Sequence, residues 1–380
     1  MGTPLPTPAI APFRLEARRW LEANVPSESP PEDGPASRDY VLAWQHRQSH
    51  GGWAGIAWPQ SVGGRGLSML EQIVWYEEYA RAGAPSPLNA SFVGLNHAGP
   101  TLIACGTPEQ TALHLPKILA GEVIWCQGFS ETGAGSDLAS LKTRGRVAGD
   151  ELIIDGHKIW SSFADIADWQ ELLIRTDPEA GTSAALSWVI CSMRTPGITV
   201  RPIRTMAGPR KYCEVFYDSV RVPLSNVVGG LNNGWGTAMS TLGFERGTAA
   251  LALLIGLNLK VEELLAACPG GRQELRLRLA RLRAEGASIR ATTYRFALDC
   301  ENGVPDASGS MIRLSFAEFA QRVTAAAVDL YGIDAPEVVG MHGWGHDYLD
   351  AFSETIAGGT AEIQRNIIAE RVLGLPKGPR

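Results

Sequence analysis

Residues 151–163 read ELIIDGHKIWSSF, a short run rich in Ile, Trp and Phe that is interrupted only at Asp155-Gly156. That is the pattern of a β strand. Four further runs follow: ELLIRT at 171–176, ALSWVICSM at 185–193, GITVRPI at 197–203 and KYCEVFYDSVRVP at 211–223. Each is β-branched or aromatic and bounded by Gly, Pro or Asp. Gly149-Asp150 sits before the first of them as in a hairpin turn. Working outward, the texture changes on both sides. Upstream of Gly121 the chain reads as helix and loop. Phe13–Asn24 and Glu71–Arg81 have helical composition, and 106–109 (GTPE) predicts a helix start with Pro at its first position. Pro26–Pro35 and the turn-rich WAGIAWPQSVGGRGL at 53–67 read as loops. Downstream of Gly234 the spacing is helical again. Leu275, Leu279, Leu282, Gly286, Ile289, Thr293, Phe296 and Cys300 fall at alternating steps of four and three, as do Ile312, Phe316, Phe319, Val323, Ala326 and Leu330. These are buried seams of long helices. With 235–266 and 350–374 they predict a four-helix bundle. The fold class is therefore α+β: an N-terminal helical domain over 1–121, a middle β domain over 122–231 and a C-terminal four-helix bundle over 232–380.

Bulk properties exclude several function classes. A chain of 380 residues with 45% hydrophobic content and a net charge of −6 is an ordinary multi-domain globular protein. Its Lys and Arg are dispersed, so no nucleic-acid groove or membrane-binding stripe is expected. No apolar run reaches membrane-spanning length, and the first twenty residues lack the order of a signal peptide. The six cysteines form no CxxC pair and no histidine spacing matches a metal site, so free thiols, no metal and a cytoplasmic location are expected.

Two segments carry chemistry. Trp125–Leu138, WCQGFSETGAGSDL, places three glycines and several hydroxyls at the helical-to-β boundary. Glycines let a backbone approach a flat ligand and free its N–H groups as donors. A domain-crossing loop with capping residues reads the same way. In Gly156–Ala164, GHKIWSSFA, a tryptophan followed by Ser161 and Ser162 offers a flat face and two hydroxyls, or simply a core residue.

Together the two segments resemble the acyl-CoA dehydrogenases, whose signatures are close to SExxAGSD and Trp-x-Thr/Ser on a β strand. WPQSVGGRGLS, GTPEQ with LPKILAGE, VRVPLSNVVG and GGTAEIQRNIIAERVLG extend the resemblance along the chain. It implies FAD, with Gln127, Phe129, Ser130 and Ser136 around the ring and Ser130 near its pyrimidine edge. Trp160 would cover a face, Ser161 and Ser162 would lie beside it, and Ser162 would bond near N5. Thr360 and Glu362 match further FAD positions, and Ser136 also faces the substrate's pantetheine arm.

The implied reaction is α,β-dehydrogenation of an acyl thioester. A carboxylate takes the α-proton in a water-poor pocket. In many members that carboxylate belongs to a C-terminal Glu-Gly-Thr, but here the matching residues are Gly358, Gly359 and Thr360. Isovaleryl- and long-chain-type members carry the base on the first bundle helix before an Arg. Glu245, followed by Arg246, matches that position, with Ala238, Leu242, Ala249 and Ala252 on its helical face. An ion pair with an Arg is the plain alternative for Glu245. Arg246, Gly358 and Gly359 are the implied substrate contacts. The resemblance also implies a homodimer or homotetramer, an acyl-CoA or acyl-carrier-protein substrate and an electron-transfer flavoprotein as acceptor. It breaks at two FAD-binding elements, where the chain reads RQELRLRLARLRAEGASIR and VDLYGIDAPEVVG. A carrier-protein enzyme of secondary metabolism, or one subunit of unlike chains, is the alternative. His97 and His157 are expected in a loop and beside a turn, His342 and His346 in a loop, and Cys126 in a packing role.

Overall fold

The fold is given by a computed structural model. It describes residues 10–31, 34–177, 179–181, 183–208, 211–245, 250–304, 308–339 and 343–377, with the side chains of 245 and 250 excepted. The N-terminal third holds α1 (Ile10–Asn24), α2 (Gly34–His50), α3 (Met69–Arg81), α4 (Gly99–Cys105) and α5 (Pro108–Ala120). Helix starts follow local chemistry. Ser68 caps α3 and Thr107 caps α5, each in a reciprocal capping box with the residue three positions on, Glu71 and Gln110. Pro108 takes the first helical position of α5, where the missing N–H costs nothing. Gly121 ends that helix in the left-handed conformation, φ 72°.

The β strands are β1 (Trp125–Gly128), β2 (Arg144–Ala148), β3 (Glu151–Ser162), β4 (Trp169–Arg175), β5 (Leu186–Ser192), β6 (Ile198–Ile203), β7 (Tyr212–Pro223) and β8 (Val227–Val228). They form one sheet in the order β6-β7-β3-β2-β4-β5-β8, with β1 parallel to β4. β2 and β3 make the hairpin about Gly149, at φ 67°. β4 and β5 are buried on both faces, one against the sheet core around Val189 and Cys191, the other against α4 and α5 through Leu173 and Trp188. Hence their near-continuous apolar runs.

The C-terminal third holds α6 (Gly234–Glu245), α7 (Ala250–Ala267), α8 (Gln273–Glu301), α9 (Ser308–Tyr331), α10 (Trp344–Asp350) and α11 (Ala361–Ile367). The α8 seam is buried from Leu275 to Thr293 and then moves to Tyr294 and Ala297, leaving Phe296 and Cys300 half-buried. A straight helix drifts away from a strict seven-residue repeat, and over 29 residues the drift shows. The stretch 350–374 is not one helix. Gly358 and Gly359 stand at φ 63° and 87° and separate α10 from α11.

The helical thirds share one core. Trp44, Trp53, Trp75 and Tyr79 pack in the same cluster as Leu251, Leu282, Phe319 and Val323. Trp53 stacks on Trp75 with ring centroids 4.2 Å apart. A buried ion cluster joins α1, α3 and α8 along one side. Glu77 meets Arg14 at 2.9 Å and Arg290 at 2.5 Å, and Glu78 meets Arg14 at 2.6 Å, Arg18 at 2.8 Å and Arg81 at 2.8 Å.

Candidate active site

The glycine-rich segment leaves β1 and is pinned to β3 at several points. Ile159 N–H donates to the Ser130 carbonyl at 2.9 Å. Next to it, the fully buried Lys158 Nζ donates to the Phe129 carbonyl at 3.0 Å and to Glu131 Oε1 at 2.9 Å. The Glu131 carboxylate also accepts the Lys142 and Thr143 amides at 2.7 and 2.8 Å. Burial alone would raise the Glu131 pKa, but the Lys158 ammonium and these hydrogen bonds outweigh it and hold the group below its usual range. A tight turn follows, Glu131 and Ala134 exchanging backbone bonds of 3.0 and 3.1 Å. A side chain at Gly133 or Gly135 would meet nothing within 4 Å, so this stretch of backbone is open on its outer side.

β3 bulges where it passes the loop. The register with β7 shifts between Lys158 and Ser161, and Trp160 takes φ 64°. The left-handed region is costly for a large aromatic residue and marks a held conformation. Its result is that Trp160 leaves the strand alternation and projects outward, 56% exposed, edge-on to Tyr212 at 6.0 Å. Ser161 turns inward, its hydroxyl buried with no hydrogen-bond partner among the described residues, and Ser162 is half-buried. Phe129 is buried, Ser130 half-buried and Ser136 exposed. The arrangement fits an isoalloxazine: an outward indole face, an adjacent hydroxyl at Ser162 and an open glycine backbone at Gly133–Ser136. Ser161 presents its hydroxyl to the sheet interior.

Gln127 points toward α4's approach. Its Nε2 donates to Glu171 Oε1 at 2.8 Å, and His97 Nδ1 lies 3.2 Å from the same oxygen. His97 is not in an open loop. It is buried in a π-helical turn, Gly94–Ala98. Cys126 is buried in the sheet core, where desolvation pushes its thiol up. His157 lies within β3, its ring stacked on Phe216 at 4.2 Å.

A cavity of about 730 Å³ opens between the helical thirds. Trp58, Tyr76, Tyr79 and Leu95 wall it from the N-terminal side, and Gly243, Phe244, Ile367 and Arg371 from the C-terminal side. The next residue after Phe244, Glu245, ends α6. Its side chain, Arg246 and His342 lie outside the described residues. Thr360 caps α11, accepting the Ile363 amide at 3.2 Å, and the exposed Glu362 sits in the first turn, its carboxyl lowered by its own amide and by Thr360. Gln364 Nε2 donates to the Gly358 carbonyl at 3.0 Å, folding the glycine turn back on α11. The ends of α6 and α11 thus reach one cavity.

Sequence reading missed Lys158, Glu131 and the His97–Glu171 pair. A lysine at an inward position of an apolar strand was the available signal for the first.

Family models of the acyl-CoA dehydrogenase N-terminal, middle and C-terminal domains match residues 8–122, 126–220 and 232–373. The chain is similar to acyl-CoA dehydrogenase IpdE1 of Mycobacterium tuberculosis, 37% identical across 97% of this chain and 98% of that one. It is also similar to acyl-CoA dehydrogenase FadE26 of the same organism, 30% identical over 98% and 99%. Among solved structures, the Tcur3481-Tcur3483 steroid ACAD aligns with a TM-score of 0.86 and 32% identity, covering 98% of this chain and 99% of that one. The ChsE4-ChsE5 complex of Mycobacterium tuberculosis aligns at 0.82 and 28%, covering 99% and 100%.

Proposed function

Because this chain belongs to the FAD-dependent acyl-CoA dehydrogenase family, we propose that it dehydrogenates a bulky acyl thioester at the α,β bond with Glu245 as the base. The cavity carries this reading. At about 730 Å³ it is in the range that holds a drug-sized ligand, more room than a short acyl chain fills. Its walls include Trp58, Tyr76, Tyr79 and Phe244, and its rim meets the end of α6, one residue before Glu245. A carboxylate there would work in a water-poor setting, where it is a stronger base. The steroid ACAD among the solved relatives favours a fused-ring acyl group.

Each residue then has a task. The cavity walls hold the acyl body and exclude water. Glu245 takes the α-proton. The backbone N–H of Gly358 meets the charge that develops on the thioester oxygen. Gln127, Phe129, Ser130, Ser136, Trp160 and Ser162 would hold FAD, together with Thr360 and Glu362. Bound FAD would supply the acceptor for the β-hydride. Ser136 and Arg246 contact the pantetheine arm of acyl-CoA, or of acyl-carrier protein in a secondary-metabolic variant. An electron-transfer flavoprotein takes the electrons. None of the six cysteines is in a disulfide, which favours a reducing cytoplasm.

The test is anaerobic bleaching of bound flavin by a panel of acyl-CoAs that includes fused-ring acids. Wild type should bleach with a bulky thioester, and Glu245→Gln should bleach at least about a hundredfold more slowly, the scale of a lost general base. Equal bleaching by the variant would place the base elsewhere.

A second reading concerns assembly. The Tcur3481-Tcur3483 and ChsE4-ChsE5 relatives are each named for two gene products. The residues at the start of α8 and around the end of α9 do not match the FAD-binding motifs the resemblance implies there. Pairing with an unlike chain, in place of a homodimer or homotetramer, would supply them. Full FAD occupancy of the chain purified alone as a homo-oligomer would exclude that pairing.

A further inference from the structure

Lys158 is an unusual residue for its place. It occupies an inward position of β3, wholly buried, where Leu152 and Ile154 are apolar. Among the described residues its ammonium meets one segment, the Phe129 carbonyl at 3.0 Å and Glu131 Oε1 at 2.9 Å. Glu131 in turn holds the amides of Lys142 and Thr143, where the loop returns to β2. The pair therefore fastens both feet of the glycine-rich loop. Site residues lie close to both members of the pair: Ser130 is next to Glu131, and Trp160 is two positions past Lys158.

Stability is a poor reason to bury such a pair. Desolvation of two charges offsets most of their attraction, and an apolar pair of like volume often serves as well. That cost is visible here, since burial pulls Lys158 down to about 8 with Glu131 opposing the shift. What a buried pair does supply is register, because only one arrangement satisfies every donor and acceptor. The loop needs that. Its tip, 132–136, has the single Glu131–Ala134 turn and open glycines to shape it.

We propose that Lys158 and Glu131 are a positioning clamp for FAD, fixing the loop against β3 so that Ser130 and Trp160 stay in register for the flavin ring. Neither residue contacts a reacting atom.

The experiment compares apoprotein of wild type, Lys158→Met, Lys158→Arg and the double variant Lys158→Met/Glu131→Gln. Apoprotein melting and the FAD dissociation constant, from quenching of tryptophan fluorescence, are read separately. Lys158→Met should weaken FAD binding by about tenfold or more, the effect of one charge-assisted hydrogen bond lost from a binding loop. It should also lower the melting temperature, because Glu131 is left buried without its partner. The double variant removes both charges. It should regain melting temperature while FAD binding stays at least about tenfold weaker. If Lys158→Met does not fold, Lys158→Arg decides: it keeps the charge but moves the donors, and should bind FAD more weakly with a shifted flavin absorbance. A double variant that regains both stability and wild-type FAD affinity overturns the proposal, as does Lys158→Met or Lys158→Arg binding FAD like wild type with an unshifted spectrum. Wild type that takes up no FAD overturns the flavin reading itself.

Discussion

Gly358 and Gly359, where the family resemblance would place Glu-Gly, both stand at positive φ. A Cβ on Gly359 would also come within 2.8 Å of Gln364 Nε2. Gly359→Ala should therefore lower stability by about 1–2 kcal/mol, the usual left-handed cost, read as a shift in urea midpoint. His114 offers a pH test. Its ring packs edge-on against Trp125 and Trp169 at 5.2 and 4.8 Å. Burial, with Lys117 adding, pulls the imidazole from 6.5 down to about 4. The unfolded chain thus binds the proton first as pH falls. Stability from this group is complete above about pH 6.5 and is lost through the window down to about pH 4. Between pH 7 and 5 the loss should be about 2 kcal/mol. His114→Phe should remove that part of the pH dependence, and an unchanged slope would show that His114 is protonated in the folded state. At this scale, residues that obey local rules were legible. Pro108 and Gly149 announce themselves by type. Trp160 was legible as a flat face, but its outward direction was not, since that comes from a bulge set by pairing with β7.

The proline-led start of α5 and the apolar seams of α8 and α9 were the best-read elements, because each depends on residues within four positions of one another. Gln110 does more than cap α5. Its Oε1 accepts the Thr107 amide at 3.0 Å while its Nε2 donates to the Ser225 and Val227 carbonyls at 2.8 and 3.0 Å. Thr107→Ala should cost about 1 kcal/mol as a lost cap. Gln110→Ala should cost more than Thr107→Ala in the same melt, because it also unties α5 from the exit of the sheet. The ion cluster of α1, α3 and α8 shows the limit of reading by element. Glu77 and Glu78 lie within a helix of good local pattern, and nothing local says they are buried. Glu77→Ala leaves Arg14 and Arg290 without that partner and should destabilise by about 3–5 kcal/mol, checked by urea denaturation. A loss under 1 kcal/mol would mean that the cluster is solvated. The fourth bundle stretch, 350–374, was read as part of the bundle, but the Gly358-Gly359 pair breaks it, both residues standing at positive φ.

Across the whole molecule, the first and last thirds bury one set of aromatics and aliphatics between them. The bundle is therefore not self-sufficient. A fragment spanning 232–380 should be helical by far-ultraviolet circular dichroism yet lack a cooperative melt, since its α7 and α8 faces would have lost α1 and α3. A sharp transition for that fragment would refute the shared-core argument. The same packing makes the cavity, with walls drawn from segments as far apart as Trp53 and Arg371. The amino-acid sequence by itself determined the order of helix, sheet and helix, the start of α5, the long helix seams and the family. Each of these depends on short-range spacing or on residue type. Only the tertiary structure decided that the ends of α6 and α11 face one cavity, that Lys158 and Glu131 fasten the glycine loop, and that two helical segments form one core. Those are contacts between residues 27 or more positions apart, and their partners are chosen by how the elements pack, which no local pattern encodes.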